Sequence, residues 1–563
     1  MNDIHRRCFL LSAVDALVGV CATNVFANDH RRREQRRLLF NWDGSMVHCF
    51  GRGALGNAKG PLTREQFVSL VFTPLDENAV DAVLFSFGSG NIAEYQSNVL
   101  EWPGEADRFE FPAARTWHGG IEFDPADQYK NPKALADAGA NPPAVIVKEC
   151  HRRGMQAFVS LRMNDCHDGQ HPRGTLPNPE LATFKRQNPE WLVPDLDWWT
   201  ALNFAHPRVR AMKLRVVEEF FDRWDFDGIE LDWLRHTLYF PRGTERKNAH
   251  HLTRFIRDVR ASLNERARRR GRSIEILVRV PERIEWCRDG GFDIAAWIEE
   301  DLVDGLILGQ GLTTLPTLPE FRRLMKKRPL PIYPCLATYG NGYRISPEEV
   351  IRGGASNLWR DGANGLYAFN WFLQGDWRRK LLREIADPTR LVGRDKTYTL
   401  LQKVEAAKGE PGADYVRYNA QSRAASLPFS LRVNDGPKTI SLPVAAEVGS
   451  PNDRPKRAEL WLAVDHLGKY DQLRVALNGR DLALNDAVRL EAIGHRMEIP
   501  PGNGMLGLPS EQAGDAMFEG LRIPMPVEVL VSGANTFTIS LRGRTSGMEH
   551  DLRVTRVELA TRY

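Results

Sequence analysis

The sequence is poor in cysteine, and no pattern gives its cysteines a structural role. Of the seven cysteines in 563 residues, five lie beyond residue 27: Cys49, Cys150, Cys166, Cys287 and Cys335. They are scattered and odd in number, without the paired spacing of a zinc site or a disulfide scaffold. A disulfide-rich fold is therefore excluded, and a cysteine-dependent mechanism is not supported, although the set leaves room for one disulfide.

Long apolar runs are also absent beyond the first residues. No later stretch holds the ~20 uncharged apolar residues of a membrane-spanning helix, so we expect no integral membrane segment in the mature chain. The first residues carry Arg6-Arg7, an apolar run through Val20, and Val25-Phe26-Ala27, which suits cleavage after Ala27. Residues 1–27 therefore predict a twin-arginine-like export signal and a periplasmic or extracellular protein.

The sequence also has no large excess of positive or negative charge. The formal net charge is only +4, and the basic cluster at residues 31–37 is typical of a solvated tail, with a nucleic-acid-binding arm as the less favoured alternative. We therefore expect no nucleic-acid partner. The hydrophobic fraction of 42% and charged fraction of 26% are ordinary for a soluble globular protein, and 563 residues exceed one ordinary core. Two domains are expected.

The first domain alternates short β-rich runs with amphipathic helical segments such as Pro207–Arg223 and Ala249–Arg269. The predicted strands are Leu38–Trp42, Ala82–Phe87, Gln156–Met163, Gly228–Trp233, Ile274–Val280, Gly305–Leu308, Ile332–Ala337 and Gly365–Asn370. Eight strands with interleaved helices predict a (β/α)8 TIM barrel over residues 28–394. A doubly wound open sheet is the rival, and the count of eight favours the barrel.

The texture changes after residue 395, where short strand-like runs are separated by Gly, Asn, Asp and Pro. The runs are Ala458–Val464, Gln472–Leu477, Val527–Val531 and Thr536–Leu541, and Leu477-Asn478-Gly479 is typical of a hairpin. Residues 395–563 therefore predict a smaller all-β sandwich, and Leu530–Ile539 resembles the last strands of jelly-roll modules. We expect this domain to brace the barrel, with glycan binding as the alternative.

Residues alternate in direction along a strand, which separates the two acidic positions of the fourth strand. If Asp232 points into the barrel, Glu230 does so too, one layer deeper. Arg162 on the third strand and Arg279 on the fifth are then inward neighbours. We expect Glu230 to pair with one of these arginines, because a buried charge needs a partner.

The active site of such a barrel lies at the C-terminal ends of its strands. Carboxylates, amides, arginines, histidines and aromatics are concentrated there. The candidate substrate-binding residues are Trp42, Asp43, Arg162, Asn164, His167, Arg235, His236, Arg279, Gln310, Tyr339, Asn370 and Trp371. Planar polar groups bind sugar hydroxyls and aromatic rings stack on sugar faces, so this mixture indicates a carbohydrate substrate. Phosphate-binding glycine loops, HExxH helices and GxSxG elbows are absent from these ends.

Cleavage of a glycosidic bond needs one carboxylic acid and one carboxylate. Asp232, at the mouth of the fourth strand, is the first catalytic candidate. Glu282, just past the fifth strand, and Asp165, just past the third, are its competing partners. Glu230 lies deeper, where a structural ion pair competes with a catalytic role. The seventh strand ends in Thr338-Tyr339 without a glutamate, which argues against hydrolases whose nucleophile is a strand-seven Glu.

Phe226-Asp227-Gly228-Ile229-Glu230-Leu231-Asp232-Trp233-Leu234-Arg235 resembles the fourth strand of the glycoside hydrolase-like family ten barrels. Asn188–Leu192 and the run from Asn203 to Val209 are also similar to that family, and the resemblance covers roughly residues 36–380. Glu230 replaces a common His and Trp233 a Tyr, which leaves the substrate open. Gly228–His236 is similar to the α-amylase family as well, with Glu230 at its usual Arg position.

Three histidines bear on a metal site. His118, His167 and His236 lie on separate loops without ligand spacing, so we expect no metal and no other cofactor. The leading hypothesis is a secreted glycoside hydrolase acting on a poly- or oligosaccharide. The alternatives are a non-catalytic glycan-binding or cell-surface protein on a degenerate barrel, and lysis of an acidic polysaccharide.

Overall fold

The structure of the protein is a computed structural model. It describes residues 36–56, 58–102, 115–117, 121–170, 173, 180–310, 317–337, 346–369, 371, 376–403, 423–445, 454–493 and 518–563. The predicted export signal at residues 1–27 and two candidate site residues, Tyr339 and Asn370, lie outside these residues.

Eight parallel strands close into a barrel, which confirms the predicted fold. They are β1 (Leu38–Asp43), β2 (Ala82–Ser86), β5 (Gln156–Arg162), β6 (Gly228–Asp232), β7 (Glu275–Val280), β8 (Gly305–Leu308), β9 (Ile332–Ala337) and β10 (Leu366–Phe369). Neighbours pair in that order, and β10 pairs with β1. Each observed strand end lies within one residue of its prediction. A separate antiparallel pair, β3 (Arg115–Trp117) and β4 (Ile121–Phe123), is not part of the barrel.

The described helices of this region bury their apolar faces in the core outside the barrel strands. They are α1 (Gly44–Ala54), α2 (Arg64–Phe72), α3 (Asp127–Asp137), α4 (Pro142–Arg152), α5 (Thr183–Gln187), α6 (Pro207–Arg223), α7 (Glu245–Arg270), α8 (Ile284–Asp289), α9 (Ile294–Glu299), α10 (Leu318–Leu324), α11 (Glu348–Arg360), α12 (Asp376–Ile385) and α13 (Pro388–Leu391). Helix α6 begins with its proline, as predicted. None of the described helices combines the length and apolarity that crossing a membrane requires.

Side chains from alternate positions fill the barrel interior, as period-two alternation requires. Phe158 and Leu277, which alternation places on the same faces as Arg162 and Arg279, are buried in this interior cluster. A Cβ on Gly228 would lie 2.3 Å from the Phe158 ring and 2.6 Å from the Glu275 carbonyl oxygen, so β6 needs glycine there. Arg36 pairs with Glu275 at the N-terminal end of the barrel, below this layer.

Two antiparallel sheets follow the barrel and share a second core, which confirms the predicted sandwich. The first contains β11 (Lys396–Thr399), β12 (Phe429–Leu431), β14 (Arg457–Asp465), β17 (Val488–Ile493), β18 (Phe518–Met525) and β20 (Leu552–Arg562). The second contains β13 (Lys438–Val444), β15 (Gln472–Leu477), β16 (Arg480–Asp481) and β19 (Gly533–Gly543). Asn478 and Gly479, with φ of 51° and 79°, form the predicted hairpin turn between β15 and β16.

One strand predicted in this region is wrong. Val527–Val529 forms a 3-10 turn instead of a strand. Two local bonds close it: Val529 N donates to Pro526 O at 3.2 Å, and Leu530 N donates to Val527 O at 3.0 Å. The proline fixes φ at the start of the turn, and this outweighs the β-propensity of the valines.

The sandwich packs against the barrel through α11. A Cβ on Gly353 of this helix would lie 2.3 Å from the Thr397 carbonyl oxygen of β11, so the two backbones are in close contact. The Asn357 amide donates to the Pro443 carbonyl oxygen at 3.1 Å. This contact is consistent with a bracing role for the sandwich.

Candidate functional site

A cavity of about 190 Å³ opens at the C-terminal ends of β1, β2, β5 and β6. Its lining residues are Asp43, Ser45, Met46, Cys49, Ser89, Ile92, Glu94, Gln128, Tyr129, Arg162, Asp165, His167, Asp168, Glu180 and Arg235. Five of these side chains are carboxyl groups, and they surround two arginines and a histidine. The predicted candidates Asp43, Arg162, Asp165, His167 and Arg235 therefore share one cavity.

Cys49, the cysteine in the lining of this cavity, is in surroundings that disfavour its thiolate. Burial raises the pKa of the Cys49 thiol well above its ordinary value, with the nearby Glu94 adding to the effect. A thiolate, the nucleophilic form, is therefore suppressed. All five described cysteines are free and buried, so the one disulfide for which the sequence left room is not formed among them.

Arg162 is the central cation of the cavity. Its guanidinium contacts Asp43 Oδ2 at 2.7 Å and Asp165 Oδ2 at 3.0 Å. All three side chains are at least nine-tenths buried, so each charge depends on the others for compensation. Lys213 fixes the backbone below: its Nζ donates to Gly90 O at 2.6 Å, and Arg162 O lies 3.5 Å away.

Both carboxylate oxygens of Asp165 contact neighbouring side chains, those of His167 and Arg162. Its Oδ1 accepts hydrogen bonds from His167 Nδ1 at 2.6 Å and from the His167 backbone N–H at 3.0 Å. Burial opposes the charge on Asp165, but His167 and Arg162 outweigh it, and the pKa of this carboxyl lies well below its usual range. His167 Nε2 in turn accepts from the Arg235 guanidinium at 2.9 Å. These residues form a hydrogen-bonded relay at the cavity wall.

Asp165, His167 and His236 are also close enough together to bind one metal ion, since their potential ligand atoms lie within 4.8 Å of one another. Their hydrogen bonds do not fit that role. His236 Nδ1 accepts from the Cys166 N–H at 3.0 Å, which leaves the proton of the neutral ring on Nε2. Both nitrogens of His167 are engaged within the relay. The cluster therefore fits a relay better than a cation site.

Glu94 is a functional candidate that the sequence did not reveal. It lies eight positions beyond the end of β2, whose loop carried no recognisable motif. Its Oε1 accepts a hydrogen bond from the Ser45 hydroxyl. Burial raises the pKa of Glu94 to about 8, and the charge of Asp43 contributes in the same direction. The side chain is 1% exposed, so a neutral carboxylic acid lines the cavity at neutral pH.

The two carboxylates of β6 lie outside the cavity lining, Asp232 beside the cavity and Glu230 beneath it. Asp232 Oδ1 accepts from Leu234 N at 2.9 Å, and Asp232 Oδ2 lies 3.4 Å from the Arg279 guanidinium. Asp232 is only 2% exposed. Arg279 lies over the Phe369 ring at 3.8 Å, a cation–π contact that helps to bury its charge.

Glu230 is fully buried one layer deeper. It accepts a hydrogen bond from the Tyr367 hydroxyl at 2.6 Å and one from the Asn41 amide at 3.3 Å. Burial raises the pKa of Glu230 to about 7, and the charge of Asp232 adds to this effect. We expected an arginine partner for Glu230, but Arg279 is ion-paired with Asp232 and acts on Glu230 only through its charge.

Two other candidates lie toward the opposite side of the barrel mouth. Glu282 follows β7 and is buried, and its charge adds to the raised pKa that burial gives the Cys335 thiol on β9. Gln310 is half-buried just past β8. Neither residue lines the cavity at β1, β2, β5 and β6.

Four further candidates are buried. The Trp42 indole donates to Val71 O at 3.1 Å and the Trp371 indole to Leu336 O at 2.8 Å, and both rings lie in the core. They offer no exposed face for a sugar. Asn164 is fully buried and holds the Leu202 backbone. The His236 ring packs against Trp198 with ring centroids 4.6 Å apart and the ring planes tilted by 37°. None of the four is part of the cavity lining.

Comparisons with known proteins give only distant likenesses. No protein-family model matches the sequence, and no curated protein matches it. Among solved structures, the PgaB (BpsB) glycoside hydrolase domain from Bordetella bronchiseptica is 11% identical with a TM-score of 0.37, covering 62% of this chain and 99% of its own. The catalytic domain of psychrophilic chitinase B from Arthrobacter TAD20 is 12% identical with a TM-score of 0.36, and the match covers 63% of this chain and 96% of that domain. A GH36 alpha-galactosidase from Geobacillus stearothermophilus is 10% identical with a TM-score of 0.36, and the match covers 91% of this chain and 56% of that enzyme. At such distances the neighbours do not assign an activity, and the barrel assignment depends on the strand pairing itself.

Proposed function

We propose that this chain hydrolyses glycosidic bonds of a poly- or oligosaccharide at the C-terminal mouth of its barrel. One observation supports the proposal above the others: five carboxyl side chains converge on a single cavity at these strand ends, around Arg162. Glycosidic hydrolysis needs two carboxyl groups in different protonation states. A cavity with this many carboxyl groups can supply both.

The accessible polar groups of the cavity suit sugar hydroxyls. The side chains of His167 and Arg235 are 31% and 19% exposed, whereas those of Arg162 and Asp165 are at most 9% exposed. The relay from Asp165 through His167 to Arg235 fixes the orientation of the two exposed groups. Fixed donors and acceptors bind a ligand at a smaller entropic cost than mobile ones.

The size of the cavity limits what enters it. About 190 Å³ is less than the roughly 300–1,000 Å³ of sites that enclose a drug-sized ligand. We therefore infer that a single sugar unit occupies the cavity and that the rest of the chain lies outside it. Asp232, beside the cavity, is the proposed carboxylate that stabilises positive charge on the reacting sugar.

The proposed function is tested with the mature chain on a panel of neutral, uronic and sulfated polysaccharides, by measuring released reducing ends. We expect Asp232→Asn to remain folded and to lower turnover by about three orders of magnitude or more on the substrate found. Asp137→Asn is the matched control, because that side chain is 62% exposed on α3. Near-wild-type turnover of Asp232→Asn would refute the role of Asp232.

The same panel separates the rival functions. A glycan-binding protein would bind a polymer saturably and release no product, and the internal engagement of Glu230 and Asp165 is the observation that favours this rival. A lyase would produce an unsaturated chromophore instead of a simple reducing end. Release of saturated products by the wild type supports hydrolysis.

Export is part of the proposal and has its own test. We propose that the twin-arginine-like segment directs the folded chain out of the cytoplasm, with cleavage after Ala27. Replacing Arg6 and Arg7 together by lysine should retain the precursor in the cytoplasm. N-terminal sequencing of the exported protein should begin at Asn28, and unchanged export of the double variant would contradict the route.

A further inference from the structure

Glu94, in the lining of the cavity, has one carboxyl oxygen that is buried without a hydrogen-bond partner among the described residues. Its Oε1 is held by the Ser45 hydroxyl, whereas its Oε2 is buried without a hydrogen-bond partner among the described residues. The Gln128 amide lies nearby and interacts with the same carboxyl. A buried polar atom without a partner is destabilising, so its retention calls for a functional explanation.

The surroundings of Glu94 disfavour its charged form. Arg162, whose charge acts on Glu94, is already shared between Asp43 and Asp165. Asp43 also lines the cavity, and its Oδ1 has no hydrogen-bond partner among the described residues. Ionising Glu94 would therefore place a second negative charge beside Asp43, on a side chain that is itself buried.

We propose that Glu94 is the proton donor of the hydrolysis, delivering its proton from Oε2 to the glycosidic oxygen of a sugar bound in the cavity. This inference rests on the proposed function and adds a residue to it. Asp43 acts as a positioning residue that keeps Glu94 protonated, and Ser45 holds the carboxyl in one orientation.

The reaction balances with water as the co-reactant. Glu94 gives its proton to the glycosidic oxygen as the bond from that oxygen to the anomeric carbon breaks, and the bonding electron pair stays with the leaving oxygen. Asp232 stabilises the positive charge on the anomeric carbon. The oxygen of a water molecule bonds to that carbon, and the proton lost by this water restores the carboxylic acid.

The donor role predicts a pH profile. The groups facing Glu94 are Asp43, Arg162, Ser45, Gln128, Cys49 and Tyr129. Because the pKa of Glu94 is raised to about 8 by burial and by Asp43, activity should fall as the pH rises through that value. Asp43→Asn removes the repelling charge, so its alkaline limb should shift to lower pH.

The decisive experiment uses two substrates that differ in their need for an acid. One is the natural glycoside found in the panel, and the other is the dinitrophenyl glycoside of the same sugar, whose leaving group departs without protonation. We expect Glu94→Gln to lose about 10²–10⁴-fold on the natural glycoside and less than tenfold on the activated one. Glu65→Gln, 78% exposed on α2, is the matched control and should retain wild-type activity on both.

Each outcome decides the proposal. Equal losses on both substrates, or full activity of Glu94→Gln on the natural glycoside, would overturn the donor role and leave the proposed hydrolysis standing. A wild type that cleaves no glycoside overturns both. If Glu94→Gln does not fold, the Asp43→Asn profile decides: an alkaline limb at the wild-type pH overturns the proposal, and a shift to lower pH supports it.

Discussion

Arg162 contacts Asp43 at 2.7 Å and thereby joins the C-terminal ends of β5 and β1 across the intervening β2. The same guanidinium also holds Asp165, 3.0 Å away, which starts the relay to His167. One cation therefore fixes the positions of two carboxyl groups on opposite walls of the cavity. Its removal should affect the fold and the site together.

We expect Arg162→Met to lower the free energy of unfolding by about 3–5 kcal/mol, because two buried carboxylates lose their counter-charge. Urea denaturation measures this change. Arg246→Met is the control: its guanidinium also pairs with two carboxylates, Glu285 and Asp289, but it is 57% exposed. Exposed pairs contribute about 0–1 kcal/mol, so equal losses in the two variants would contradict the assignment.

Gly90 is packed against the backbone of Arg162. A Cβ there would lie 2.3 Å from the Arg162 carbonyl oxygen, and Gly90 has a φ of 71°. Gly139 has a φ of 72° but nothing within 4 Å of its Cβ position. We expect Gly139→Ala to cost about 1–2 kcal/mol from the left-handed backbone alone. Gly90→Ala should cost more, on the order of 3 kcal/mol, and should also lower activity, because Arg162 must move. Equal losses of stability in the two variants would show that the Arg162 backbone moves away from the new Cβ without a loss of free energy.

The barrel was predictable from the sequence because its strands are short, apolar and separated by long helical segments. Gly228–Asp232 and Ile332–Ala337 needed only local propensity and the βα alternation for their assignment. The prediction was wrong at Val527–Val529, where a single proline outweighed a run of valines. Local propensity and hydrophobic pattern predict a strand correctly where they agree. They fail where one residue, such as a proline, restricts the backbone to another conformation.

The site was only partly predictable. Position at strand ends was enough to find Asp43, Arg162 and Asp165, because parallel strands bring these ends together. Glu94 was missed, because it lies in a loop whose path is set by contacts distant in sequence, such as Gly90 with Arg162. The burial of Trp42 could not be predicted either, since the same alternation permits a cavity or a core position at a strand end.

The pH dependence of stability should report on Glu230. Burial and Asp232 raise the pKa of Glu230 to about 7 from an ordinary value of 4.5. For a raised pKa, the folded state is favoured by protonation, so this contribution is complete below pH 4.5 and is lost as the pH rises through 7. Glu230→Gln stays neutral at every pH. We expect the variant to gain stability relative to the wild type between pH 4.5 and 8, on the order of 3 kcal/mol. A constant difference across this range, measured by urea denaturation, would mean that Glu230 does not titrate there.

The N-terminal end of the barrel should show a second, weaker pH dependence at His151. Its Nε2 lies 2.8 Å from Asp227 Oδ2, and this hydrogen bond raises the pKa of His151 above 6.5 against the opposing effects of burial and Arg272. Asp227 also accepts from the Ala157 N–H at 2.8 Å, so the pair links α4 to the start of β5.

The protonated form of His151 is favoured in the folded state, so its contribution is complete below pH 6.5 and is lost as the pH rises through the raised pKa. The side chain is 36% exposed, and solvent screening limits its contribution to less than about 1 kcal/mol. We therefore expect His151→Ala to lower stability at pH 5.5 and to have a smaller effect at pH 9. His250→Ala, an exposed histidine on α7 whose ring contacts the Lys247 carbonyl, is the control. A loss at His151 that stays the same at both pH values would assign the effect to packing and not to the charge on the imidazole.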